Sequence, residues 1–213
     1  MSDTLVKICG LNTQIHIQAA QDAGADYFGF ILFEKSPRYI EPAKAGALIA
    51  AMDSGVSVAV MVDPDQDLLE QTGEFMKPDI IQLHGSETPE QCQTARAYAK
   101  QGVWKALGIS DQSDLDQIAA YEDVVDGFVF DAKPPAGAER PGGLGEAWDY
   151  TLLRDIRTSK PWFLAGGLTV GTVADAMAQS GATAVDVVSG VESLPGVKDV
   201  QKIKDFINAA RST

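Results

Sequence analysis

Residues 7–11 read KICGL, an apolar run that ends in Cys9, one of only two cysteines in the chain. A thiol at such a point could be a core spacer, half of a disulfide, a metal ligand or a group that moves protons. Cys9 and Cys92 are too few for a disulfide framework, and neither has the local pairing of metal ligands. His16 and His84 add little, because a structural zinc site usually takes four ligands in local pairs. No metal is expected, and Cys92, inside the helical stretch Pro89–Lys100, is read as packing. For Cys9 the choice narrows to an inert core thiol or an acid–base group. Lys7, Cys9 and Leu11 alternate with Ile8 and Gly10 along an extended run, so Lys7 and Cys9 can share one side. A cation there favours thiolate. Asp131, at the end of the run FVFD, is a natural counterpart. As a general acid it must hold a proton at the moment of transfer, through burial or a neighbouring anion. Otherwise it is a turn residue or cap.

Other residues could grip an anion. FLAGGLTVGTV sets Gly166 and Gly167 between an apolar run and a helical one, and VVSGVES repeats the idea with Ser189 and Gly190. Glycines let backbone N–H groups approach an anion, and a following helix start adds donors. Each pair alone is equally an ordinary turn. Arg38, in SPRY at 36–39, can bind a carboxylate or phosphate with two parallel hydrogen bonds, or lie on the surface. The stretch Asp131–Asp149, in which KPPAGAERPGGLGEAWD follows Asp131 and Ala132, is too rich in Pro and Gly for a regular helix. It reads as a flap over a substrate or as a surface excursion.

The elements that would position these residues are regular. Apolar runs recur as TLVKIC, DYFGFILF, VSVAVMV, DIIQLH, VWKALG, VDGFVF, PWFLAG and AVDVVS. Helical stretches lie between them at Thr13–Ala23, Pro42–Met52, Asp65–Met76, Pro89–Lys100, Ser113–Tyr121, near Asp149–Thr158, at Val170–Gln179 and at Val197–Ala210. Strands alternating with helices imply parallel pairing through crossovers. Eight units in 213 residues predict an α/β protein with a (β/α)8 barrel over 1–213 as one catalytic domain. An open doubly wound sheet is the competing topology, but no GxGxxG follows the first strand. In the barrel, strand ends share one face. Cys9, Lys35–Arg38, Asp63, His84-Gly85, Asp131, Gly166-Gly167 and Ser189-Gly190 then converge there, and the last two loops form the usual phosphate site of such barrels.

Composition limits the partners. A net charge of −13 repels nucleic acid and anionic membranes, while leaving local donors free to hold a small anion. No apolar run suggests a signal peptide or a membrane span, so a soluble cytoplasmic protein is expected. Monomer and homodimer both stay open.

KICGL, GADYFGFILFEKSPRYI, PDIIQLHG, WKAL, FVFDAK with GGLGEAWDY, PWFLAGGL, and VDVVSGVES with PGVKD form an ordered set along nearly the whole chain. Taken together they resemble the phosphoribosylanthranilate isomerases of tryptophan biosynthesis. The resemblance implies a (β/α)8 barrel and an Amadori rearrangement of N-(5-phospho-β-D-ribosyl)anthranilate to 1-(2-carboxyphenylamino)-1-deoxy-D-ribulose 5-phosphate, without metal or redox cofactor. It makes Cys9 the general base and Asp131 the general acid. Arg38 falls to the anthranilate end, Gly166, Gly167, Ser189 and Gly190 to the phosphate, and Lys7, His84 and Asp186 to further substrate contacts. The chain departs from the family pattern at Val188, where a second small hydroxyl residue is common, at Leu144, often polar, and in WDY. Two other functions fit parts of the pattern. A related isomerase of histidine biosynthesis would carry aspartates at both catalytic strand ends, and Cys9 speaks against it. A non-catalytic phosphometabolite-binding barrel would leave Cys9 inert.

Overall fold

The computed structural model describes residues 4–133, 145 and 147–212. Most of the stretch read as a flap therefore lies outside the described residues. Eight parallel strands close into a barrel: β1 (Leu5–Cys9), β2 (Tyr27–Ile31), β3 (Val56–Met61), β4 (Ile80–Leu83), β5 (Gly102–Ile109), β6 (Gly127–Ala132), β7 (Trp162–Leu164) and β8 (Ala184–Val187). Each apolar run of the sequence supplies one of these strands.

Alternation along each strand separates two apolar layers. Val6, Ile8, Phe28, Phe30, Ile81, Leu83, Phe128 and Phe130 face outward and pack under the helices. Inside, Tyr27, Trp104 and Phe163 meet with ring centroids 4.9–5.2 Å apart and fill the end of the barrel where the strands begin. Higher up, the inward positions turn polar: Lys7, Gln82, Asp131 and Asp186 are all buried. Leu11 does not continue the alternation. Gly10 takes a left-handed φ of 79°, which turns the chain, and Leu11 joins the outer layer.

The crossovers hold α1 (Gln14–Ala23), α2 (Pro42–Ala50), α3 (Gln66–Gln71), α4 (Pro89–Ala95), α5 (Ile118–Tyr121), α6 (Val173–Ser180) and α7 (Val200–Arg211). Thr13 caps α1, and Thr88 with Gln91 forms a reciprocal capping box on α4. Three stretches depart from the helical expectation: Ser113–Tyr121 is mostly a 3-10 turn, Gln112–Gln117, ahead of the short α5. Asp149–Thr158 holds only a 3-10 turn, Tyr150–Leu153. Val197–Ala210 begins as strand: β9 (Glu192–Leu194) and β10 (Val197–Lys198) pair antiparallel, and the helix starts after the Asp199 cap.

The strand-start face carries a repeated fastening. Asp26, Asp79 and Asp126 each precede an even-numbered strand and accept the backbone N–H of Val6, Ser57 and Val103 on the strand before, at 2.8, 2.9 and 2.8 Å. Arg211 joins α7 to Gly24 O and Asp26 at 2.6 and 3.0 Å. The structural fastening lies at one end of the barrel, and the polar inward residues lie toward the other.

Candidate active site

Strand β1 delivers Lys7 and Cys9 to the interior, both buried. Lys7 Nζ donates to Asp186 Oδ2 at 2.7 Å, across the β1–β8 register that pairs the two residues. Burial works against the Lys7 charge, but Asp186 and Cys9 more than offset it and leave the pKa raised. Burial pushes the Cys9 thiol up; Lys7 and Lys198 pull the other way, and Asp186 adds to the rise. The site thus favours a protonated thiol beside a charged lysine. Asp186 Oδ1 is buried with no hydrogen-bond donor among the described residues. Room for the thiol comes from Gly29, its register partner on β2: a Cβ there would stand 2.7 Å from Cys9 Sγ.

Strand β6 carries Asp131, whose Oδ1 accepts the Ala132 N–H at 2.8 Å. His84 Nε2 lies 3.4 Å from Asp131 Oδ2, and Gln82 Nε2 is 3.2 Å from His84 Nδ1. The loop bearing His84 is set from behind by a buried pair. Glu87 accepts the N–H groups of Asp63 and Gly85, and Lys105 bonds Glu87 at 2.9 Å and Gly85 O at 2.8 Å.

Gly166 and Gly167 take consecutive left-handed φ values of 83° and 67°, which only glycine adopts freely. A side chain at Gly166 would meet Asp131 Oδ1 at 2.8 Å, so this loop runs directly past the carboxyl. Trp148 and Tyr150 hold it by donating to Ala165 O and Gly166 O at 3.0 and 2.7 Å. Ser189 and Gly190 lie in a 3-10 turn, and Gly190 abuts Leu168 O so closely that no Cβ would fit between them. The two glycine loops are therefore in contact.

Arg38 is buried, not a surface residue. Its Nε and Nη2 donate to Glu192 Oε1 and Oε2 at 2.7 and 2.8 Å. Its stem crosses the turn after Cys9, where a Cβ on Gly10 would stand 3.0 Å from Arg38 Cδ. Lys35, in the same loop, is exposed. The predicted residues thus gather as Lys7–Cys9–Asp186, His84–Asp131 beside Gly166, the two glycine loops, and Arg38 over Gly10. Residue type and spacing missed Gly29, Glu87, Lys105, Glu192 and Lys198. Glu192 and Lys198 lie in VES and PGVKD, where only their presence in an ordered motif hinted at a role. Among the described residues no cluster of three or more His, Cys, Asp or Glu side chains could hold a metal ion, and no helix is long and apolar enough to cross a membrane.

A family profile described as N-(5'phosphoribosyl)anthranilate (PRA) isomerase matches residues 6–209. The N-(5'-phosphoribosyl)anthranilate isomerase of Rhodospirillum rubrum is 44% identical over 216 residues, covering 99% of both chains. The crystal structure of phosphoribosyl anthranilate isomerase from Thermotoga maritima superposes with a TM-score of 0.86 at 31% identity, covering 99% of this chain and 100% of that one. A phosphoribosyl anthranilate isomerase in complex with reduced 1-(o-carboxyphenylamino)-1-deoxyribulose 5-phosphate gives 0.83 at 29% identity, with the same coverage.

Proposed function

The chain belongs to the N-(5'-phosphoribosyl)anthranilate isomerase family, and from that premise we propose how its own residues divide the work. The protein isomerises N-(5'-phosphoribosyl)anthranilate in tryptophan biosynthesis, and its ligand is a small phosphorylated molecule. We assign the proton-transfer roles to Cys9 and Asp131, and residues 1–213 to one catalytic domain in the cytoplasm.

Asp131 protonates the furanose ring oxygen, the C1–O bond breaks, and the anthranilate nitrogen is left as a protonated Schiff base. Cys9 acts as the thiolate, its own proton having passed to water; it takes the proton from C2, and the electron pair moves to form the enolamine. Loss of the C2 hydroxyl proton and protonation of C1 give the ketone, so the product is an isomer of the substrate. His84, whose Nε2 lies 3.4 Å from Asp131 Oδ2, orients that carboxyl and contacts the substrate. Lys7 stabilises the thiolate while Asp186 anchors Lys7, and the open Asp186 Oδ1 accepts from a sugar hydroxyl. Gly166, Gly167, Ser189 and Gly190 hold the phosphate through backbone donors, and Arg38 holds the anthranilate carboxylate. Holding both ends puts the reacting carbons between base and acid, where orientation supplies much of the acceleration.

The observation that carries this reading is the placement of Cys9 against Lys7 at one strand end and of Asp131 against His84 and the glycine loop at another. Conversion of phosphoribosylanthranilate by the wild type, Cys9→Ala and Asp131→Ala tests it. Each variant is expected to lose roughly 10²–10⁴-fold in turnover, as loss of a general acid or base does. Absence of wild-type turnover, or unchanged turnover in both variants, would contradict it.

A further inference from the structure

We infer that Glu192 and Lys198, from the hairpin that follows β8, are positioning residues that set the Arg38 guanidinium to receive the substrate's carboxylate. The inference rests on the reading above, in which Arg38 takes the anthranilate end.

Arg38, Glu192 and Lys198 are each less than one-tenth exposed and form one cluster. Glu192 meets Arg38 along its Nε–Nη2 edge, two parallel bonds that fix the plane of the guanidinium. Arginine has five N–H groups. Among the described residues Glu192 takes none of the N–H groups of the adjoining Nη1–Nη2 edge, where one N–H on each nitrogen points the same way, the geometry that takes another carboxylate in bidentate fashion. Lys198 Nζ bonds Glu192 Oε1 at 3.1 Å and Val188 O at 2.6 Å, which ties the carboxylate to the end of β8. Burial works against the Glu192 charge, but Arg38 and Lys198 outweigh it and leave its pKa lowered.

Charge and shape agree with this role. Burial outweighs Glu192 and leaves the Lys198 pKa lowered, whereas an arginine guanidinium stays charged when buried, so Arg38 is the cation a carboxylate would meet, in a chain whose total is −13. The hairpin turn is also pressed onto the arginine's own loop: Gly196, at φ 84°, lies so near Pro37 O that a Cβ would stand 2.5 Å from it. Glu192 therefore locks a long, flexible side chain that would otherwise lose rotamer freedom on binding substrate.

A purely structural ion cluster would make a different prediction, so the test compares two substrates. Phosphoribosylanthranilate and the phosphoribosyl derivative of aniline differ only in the carboxylate. In Glu192→Gln the preference for the carboxylated substrate, as a ratio of kcat/KM, is expected to fall at least about 10-fold, mostly through KM. That is the scale for loosening a charged hydrogen bond. In an Arg38→Ala background the same change should add less than about 2-fold, because coupled residues are not additive. Equal losses on both substrates, or effects that multiply in the double variant, would overturn the inference while leaving the isomerase reading intact. A wild type that turned over neither substrate would overturn both. Glu192→Asp, which keeps the charge for Lys198 but withdraws the carboxylate from Arg38, repeats the comparison if Glu192→Gln does not fold, with the same two outcomes.

Discussion

At the residue scale, the proposed reaction turns on the Cys9 thiol beside a buried ammonium. Lone cysteines are usually inert, and burial alone would make this one so. Lys7 changes that without making the resting state a thiolate, because burial still dominates and holds the Cys9 pKa above its ordinary value of 9.0. A thiol with a raised pKa keeps its proton at neutral pH, and its thiolate, once formed, is a stronger base toward carbon. The expected outcome is slow alkylation of Cys9 by iodoacetamide at neutral pH in the ligand-free enzyme, with a rate that rises to a midpoint above 9.0. Cys92, pushed up to about 11 by burial, is the internal reference. A midpoint near neutrality for Cys9 would mean that Lys7 and Lys198 outweigh burial. Lys7, Cys9, Asp131 and Arg38 were legible from residue type at strand ends. Lys198 and Glu192 were not, because a lysine and a glutamate on a surface-like segment look like solvated charges until the fold buries them together.

At the scale of elements, the eight strands were legible because β-rich apolar runs and their spacing leave few alternatives in a parallel sheet. Helix ends were less so. Val197–Lys198 continued a helical pattern in sequence, yet pairing with β9 and the Asp199 cap delay the helix to Val200. The inward face of β2 holds another position that pattern reading passes over. Gly29 reads as a weak point in a strand, but its missing side chain is the space that Cys9 Sγ occupies. Gly29→Ala should therefore displace the thiol, lower kcat by about 10-fold or more, and cost about 1–3 kcal/mol by overpacking. Steady-state kinetics alongside urea unfolding checks both. A loss of stability with kcat intact would mean that Cys9 does not need its observed position.

At the scale of the molecule, stability and chemistry are divided between the two ends of the barrel. Asp26, Asp79 and Asp126 pin strand starts together, and the Tyr27–Trp104–Phe163 cluster fills the space between them. The other end carries buried charges that a purely structural core would avoid. Asp126→Ala is accordingly expected to lower unfolding stability by about 1–3 kcal/mol, the cost of an orphaned buried donor, and to leave kcat near the wild-type value. A large fall in kcat at unchanged stability would refute that division. The barrel's convergence of strand ends is also why distant residues of the sequence could be read as one site.

The central claim is that Cys9 removes the C2 proton, and substrate carrying deuterium at ribose C2 tests it most directly. Release of the label to water is followed in single turnover for the wild type and for Cys9→Ala. Label release by the wild type, slowed by a primary isotope effect and reduced roughly 10²–10⁴-fold in Cys9→Ala, is the predicted result. Release from Cys9→Ala at the wild-type rate would contradict it.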